Sequence, residues 1–282
     1  TTTNVSSATL IDGFCITDGN ANHPDFPDNR GGGWYNDGSG SGNLTAPSIV
    51  NCVITGNQAV EGGGIYNTGE DSGINFTRLI NCIISNNIAD NGGGMFNRGD
   101  FGLCSPILTN CIISGNRVAS SGGGLYNAAT AGESNPILIN SILNGNAASY
   151  LGGGMLNAGA HPTMVNSIIW NNSTAFDGVG FYSVALSYSI FQAGAVFTDG
   201  GNNKPDGTDP LFIYAPLFTA APTAAGDFHV MHESPAVNMG ASFFNLYPTD
   251  LDGMSRISEG IIDIGPYEKL IRCDSSSDTL FV

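Results

Sequence analysis

The sequence predicts an all-β fold, a right-handed parallel β-helix with an irregular C-terminal cap. Two sequence blocks recur at a period near 30 residues, and the composition is rich in turn formers and poor in charge. One block is Asn51-Cys52-Val53-Ile54-Thr55-Gly56-Asn57, with further copies starting at Asn81, Asn110, Asn140 and Asn166, so the spacings are 30, 29, 30 and 26. The other is Gly62-Gly63-Gly64-Ile65-Tyr66-Asn67, with copies starting at Gly31, Gly92, Gly122 and Gly152 and a worn one at Gly178. Gly makes up 40 of the 282 residues, about twice ordinary usage, and charged residues are only 11%. Such a chain makes poor helices but suits short strands joined by tight turns.

Each period carries two or three apolar runs of strand length, the third typified by Pro106-Ile107-Leu108 and Pro136-Ile137-Leu138. No helical spacing is present. Four-stranded propeller blades have a longer period, and leucine-rich repeats need a Leu framework absent here. Short strands that pair with their equivalents one coil later remain, forming a quasi-one-dimensional solenoid. Six or seven coils at about 4.8 Å give a core roughly 30 Å long. The predicted division is a β-helix over residues 1–200, a cap completing it over 201–268, and a tail or linker over 269–282.

Strand alternation assigns the faces. Cys52, Cys82, Cys111, Ser141 and Ser167 point inward, in a row begun by Phe14. Ile54, Ile84, Ile113, Leu143 and Ile169 form a second inward row, begun by Ile16. In the Gly block, Trp34, Ile65, Met95, Leu125, Met155 and Phe181 point inward. The Gly triplets suit positive φ at a sharp bend. Recurrent Asn residues at the corners are expected to bond up and down the stack.

Two outward rows remain. One is Val53, Ile83, Ile112, Ile142 and Ile168, a candidate assembly stripe. The other is Tyr35, Tyr66, Phe96, Tyr126, Leu156 and Tyr182, whose rings suit sugar faces or a protein partner. Contiguous exposed apolar rows mark contact surfaces, unless covered by the loops at 23–30 and 68–76 and the chain after Gly240.

With 8 basic against 24 acidic residues the formal net charge is −16. Neutralising phosphates requires clustered Lys and Arg, so nucleic acid is not an expected partner. No run approaches the roughly 20 apolar residues that cross a bilayer, and no leader opens the chain. The expected partners are other copies of the chain or flanking domains of the same protein, with carbohydrate as the alternative.

Catalytic signatures are absent. Hydrolysis of glycosides by paired carboxylates needs two acids about 5 to 9 Å apart, and Arg30, Arg78, Arg98, Arg117, Arg256 and Arg272 share no row with an acid pair. Glu70-Asp71 reads as a solvated loop. His229 and His232, three apart on a strand, face opposite ways and cannot share a metal. No cofactor is expected. The weak candidates for Ca²⁺ are Asp250 and Asp252, with Asp206-Gly207-Thr208-Asp209 behind them, although short Asp-rich turns held by their own side chains explain both. Cys52, Cys82 and Cys111 read as stacked small thiols. Cys15, Cys104 and Cys273 lie in an outer row, a loop and the tail, where an oxidising compartment would allow a disulfide.

The repeat resembles the polymorphic outer-membrane-protein type. The ordered C-terminal series is similar to the choice-of-anchor Q domain of bacterial surface proteins: Asp209-Pro210-Leu211-Phe212, Gly226-Asp227-Phe228-His229-Val230, Ser234-Pro235-Ala236-Val237-Asn238-Met239-Gly240, Asp250-Leu251-Asp252-Gly253 and Asp263-Ile264-Gly265-Pro266-Tyr267-Glu268. Together the likenesses span about residues 8–268. They imply a secreted or outer-surface bacterial protein with a sorting or anchoring signal after the last motif. Only a short run follows Glu268, so the chain reads as a section of a longer protein. The resemblance carries over no catalytic residue. The expected function is a structural or adhesive surface module, such as a unit of a fibre or large adhesin, with a carbohydrate-binding or polysaccharide-degrading β-helix as the alternative.

Overall fold

A computed structural model describes residues 1–25, 28–257 and 260–269. It is a parallel β-solenoid. One seven-stranded sheet stacks Thr2–Thr3, Trp34–Asp37, Ile65–Thr68, Met95–Arg98, Leu125–Ala128, Met155–Ala158 and Phe176–Val179. A second stacks Cys15–Ile16, Val53–Thr55, Ile83–Ser85, Ile112–Ser114, Ile142–Asn144, Ile168–Trp170 and Ile190–Phe191. An eight-stranded sheet runs from Leu10–Asp12 to Thr198–Asp199, and five- and three-stranded sheets fill the corners. Pairing between coils is parallel and in register: Ile65 faces Met95 and Met95 faces Leu125, while Ile54 faces Ile84 and Ile84 faces Ile113.

The predicted interior is the observed one over most of its length. The Cys/Ser column Cys52, Cys82, Cys111, Ser141 and Ser167 is fully buried, as is the column Ile54, Ile84, Ile113, Leu143 and Ile169. Thiol and hydroxyl are interchangeable in the first column because each caps a carbonyl: Cys82 Sγ donates to Ile80 O (3.3 Å) and Ser141 Oγ to Ile139 O (2.9 Å). Asn residues bind the coils into ladders. Asn57, Asn87, Asn116, Asn146 and Asn172 are linked through Nδ2-to-Oδ1 bonds of 2.9–3.1 Å. Asn36, Asn67, Asn97, Asn127 and Asn157 do the same at 2.7–2.9 Å. The Asn before each Cys or Ser forms a third such ladder, with Nδ2-to-Oδ1 bonds of 3.0–3.2 Å, and has a further backbone role. Asn51, Asn81, Asn110, Asn140 and Asn166 adopt left-handed backbone, φ 50–53°, which a short polar side chain tolerates.

Four readings are corrected. Only the first Gly of a complete triplet bends with positive φ, as at Gly62 (+69°). The second is needed for closeness, since a Cβ on Gly63 would lie 2.5 Å from Ile88 O of the next coil. Second, the worn Gly block is out of phase. Phe176, not Phe181, continues the inward column opposite Met155, and Phe181 is 84% exposed. Tyr182 leaves the aromatic row for the same reason. Asp177 takes its place opposite Leu156, and the Tyr182 ring folds over Gly178. Third, Phe14 stands beside Cys15 in the first coil, with a coil on one side only, and is exposed. Cys104 is also no loop residue. It pairs with Asn75 in the three-stranded sheet and is fully buried.

The C-terminal region takes two paths. Phe197 packs edge-on to Phe191 (4.6 Å between centroids) against the end of the core. The chain then turns back along the outside of the coils. Its antiparallel pair, Phe212–Tyr214 with Asp227–Val230, lies on the Val/Ile face. The Thr223 amide donates to Gly115 O (2.9 Å), and Asn110 Nδ2 to Thr249 O (3.2 Å), so the cap reaches back to the coil of Ile112.

Candidate functional site

The outward aromatic column exists but is roofed over. Centroids of Tyr35 and Tyr66, Tyr66 and Phe96, and Phe96 and Tyr126 lie 5.5, 5.2 and 4.5 Å apart, within the range of stacked rings. Tyr66 is nonetheless wholly inaccessible, Tyr35, Phe96 and Leu156 are buried, and Tyr126 is half-buried. Charged columns flanking the rings close over them. Arg30 lies 4.7 Å above the Tyr66 ring. Its Nε meets Glu61 at 2.9 Å and its Nη1 meets Glu70 at 3.6 Å. Arg98 meets Asp100 at 2.8 Å, Glu70 at 3.2 Å and Glu61 at 3.7 Å.

This canopy overturns two sequence readings: Arg98 does share a face with acids, and Glu70 is not a solvated loop residue. Coil register is the reason. Arg30 bridges in parallel to Glu61 one coil on. Arg98 follows Phe96 by two residues, and Glu70 and Asp100 each lie just beyond a strand of the same sheet. Aligning the blocks shows Arg30, Glu61 and Asn91 before successive triplets, a signal present in the sequence but seen only when columns flanking the apolar rows are compared.

The canopy is chemically quiet. Burial works to raise the Asp100 carboxyl, but Arg98 and the Thr130 amide outweigh it and hold the group below its usual range. Burial pushes the Tyr35 phenol up to about 12 and the Tyr66 phenol higher still. The acids sit in ion pairs and the phenols keep their protons at neutral pH. Beside the canopy an open hollow of about 440 Å³ is lined by Thr1, Asn20, Asp28, Arg30 and Tyr35, among others.

The Val/Ile stripe divides in two. Ile112, Ile142 and Ile168 lie under the cap, packed with Phe212, Phe228, Val230, Ala236 and Ile264. Ile83 is only partly buried against the same cluster, and Val53, outside it, stays half-exposed. Three of the five stripe residues are therefore closed to an outside partner, covered by residues 212–236 together with Ile264, Leu251 and Tyr267 of the chain after Gly240, the last of the segments expected to do so.

The Asp250 and Asp252 carboxylates serve the cap itself. Asp250 is buried. Its Oδ1 accepts the amides of Asp252 (3.0 Å) and Met254 (2.8 Å), and its Oδ2 the amide of Glu268 (2.9 Å). Asp252 instead engages His229 Nε2 at 2.7 Å. Asp206 and Asp209 accept the amides of Gly194 and Leu211. Among the described residues no cluster of three or more His, Cys, Asp or Glu side chains is arranged to hold a metal ion.

The series 263–268 ties the cap around a buried cation. Arg256 donates to Gly265 O (2.9 Å) and Asp263 O (3.1 Å) and pairs with Glu268 Oε1 (3.1 Å). Asp263 accepts the Asn238 and Lys269 amides, both at 2.6 Å. Ile264 packs beneath, with its amide on Ala236 O. Cys15, Cys52, Cys82, Cys104 and Cys111 are free thiols; Cys273, like the rest of 270–282, lies outside the described residues.

Fold and site together define the class: a parallel β-solenoid with a laterally packed cap. No protein-family model, no curated protein and no solved structure matches the chain. Among the described residues no helix is long and apolar enough to cross a membrane.

Proposed function

We propose that the chain is a stiff structural or adhesive module of a secreted or cell-surface bacterial protein, one unit of a fibre or large adhesin. The observation that carries this reading is the continuity of the Asn ladders, with amide bonds repeated from coil to coil. Buried, mutually satisfied amide columns resist bending and local unfolding. The motif resemblance supports an exported, surface-bound setting, and the acidity of the chain favours solubility. Fractionation and antibody labelling of intact producing cells test the setting, and deletion of the gene tests adhesion. Labelling confined to the cell interior, or unchanged attachment after deletion, would overturn the proposal.

The hollow beside Tyr35 supports a second reading, carbohydrate binding. A phenol, a guanidinium and the Asp28 carboxylate around one opening suit sugar hydroxyls. Glycan-array binding lost in Tyr35→Ala, or new reducing ends released from a polysaccharide, would favour it over the structural module.

A further inference from the structure

One imidazole joins three separate parts of the cap. His229 lies on the strand Asp227–Val230, whose Phe228 and Val230 face the Val/Ile stripe. On the other face of that strand, His229 Nδ1 meets Asp227 Oδ1 at 2.6 Å and Nε2 meets Asp252 Oδ2 at 2.7 Å. The ring lies on Tyr267 of the 263–268 series, with 4.0 Å between centroids. Both ring nitrogens face carboxylate oxygens, and only an imidazolium can donate to both. A neutral ring would turn a lone pair toward one carboxylate and forfeit that bond.

We propose that His229 is a protonation-dependent latch that holds the strand 227–230, the turn 250–253 and the 263–268 series together, and releases the cap from the Ile112–Ile142–Ile168 face in alkali.

The charges around the ring agree. Asp227 faces it from its own strand and Asp252 from the turn, with Asp250 two residues further back. The paired strand brings Tyr214 opposite Asp227. Beyond Tyr267 lie Glu268 and Asp263 with the buried Arg256. Burial alone would lower the His229 pKa, but the bonds to Asp252 and Asp227 raise it above the ordinary 6.5. A basic group whose folded pKa is raised stabilises fully below its unfolded pKa. That stability is lost as pH rises through the folded pKa. Between the two values the cap-opening constant grows tenfold per pH unit and then levels off. Glu268, raised to about 8 chiefly by burial, contributes in the same direction and must be separated.

The test uses the full chain. The His229 ring is followed by NMR across pH 5 to 10, assigned by its loss in His229→Gln. In parallel, the urea midpoint of the cap is read from Trp170, which packs against the capped face, in a Trp34→Phe background. The latch requires that His229 titrate above about 6.5 and move down in Asp252→Asn. It also requires that the midpoint fall with pH over the same window in the parent and in Glu268→Gln, and that the fall left in Glu268→Gln shrink when His229→Gln is added to it. Titration at or below the ordinary value overturns the proposal, as does a midpoint that falls equally with and without His229. The titration of the unmutated ring decides the first point even where a variant fails to fold.

Discussion

Coils and cap bury apolar surface by different routes. In the coils a side chain meets its own equivalent about 30 residues on, as Ile54 meets Ile84 and Asn57 meets Asn87. Losing one rung removes a contact that its neighbours still make. In the cap each interaction is made once, between unlike residues brought from 210 to 268, and a single cation, Arg256, anchors several segments. Repetition spreads stability along the rod, whereas the cap concentrates it in a few groups.

Arg256→Ala should show this contrast most strongly. It leaves the buried Gly265 O, Asp263 O and Glu268 Oε1 without their donor, at about 1–3 kcal/mol for each orphaned group. The cap should melt early in a scan read by Trp170 while the far-ultraviolet strand signal persists; simultaneous loss of both would mean that the two regions form one cooperative unit. Asn116→Ala should cost the coils about 3 kcal/mol. It leaves the Asn87 amides without an acceptor, and an orphaned buried group costs about 1–3 kcal/mol. Here the whole strand signal should shift in urea. The two ends of the Val/Ile stripe sharpen the comparison further. Ile142→Ala, under the cap, should lose about 2–4 kcal/mol, and Ile83→Ala, half-exposed, clearly less; equal losses would show that the cap does not hold its face. The smallest effect is expected from Arg98→Ala, about 1 kcal/mol for a partly exposed ion-pair network. That loss should shrink with added salt, with the Tyr66 ring becoming accessible to solvent.

Most of the coil is legible in the amino-acid order. Period-2 alternation at a 30-residue repeat assigns Ile54, Ile84 and Ile113 to one interior column, because register in a half-buried strand leaves the other face no choice. Legibility fails where the repeat decays. Gly178-Val179-Gly180 imitates the triplet, yet burial of Phe176 decides the register five residues earlier. It fails again outside the apolar rows. Arg30, Glu61, Glu70, Arg98 and Asp100 come from different coils, so their meeting over Tyr66 follows from stacking and not from any local spacing. The Asp227 and His229 pair is readable from its two-residue spacing on a strand, but its third member, Asp252, is not.

The sequence by itself determined that this protein is a solenoid of in-register parallel strands, since chemically matched residues at a constant interval can satisfy one another only by stacking. The tertiary structure alone decided what the outside of that solenoid offers. Whether an outward Ile or Tyr meets water or a cap depends on where non-repeating segments come to rest, and that is set by contacts between residues distant in sequence, as in the bond from Asn110 to Thr249, 139 positions apart.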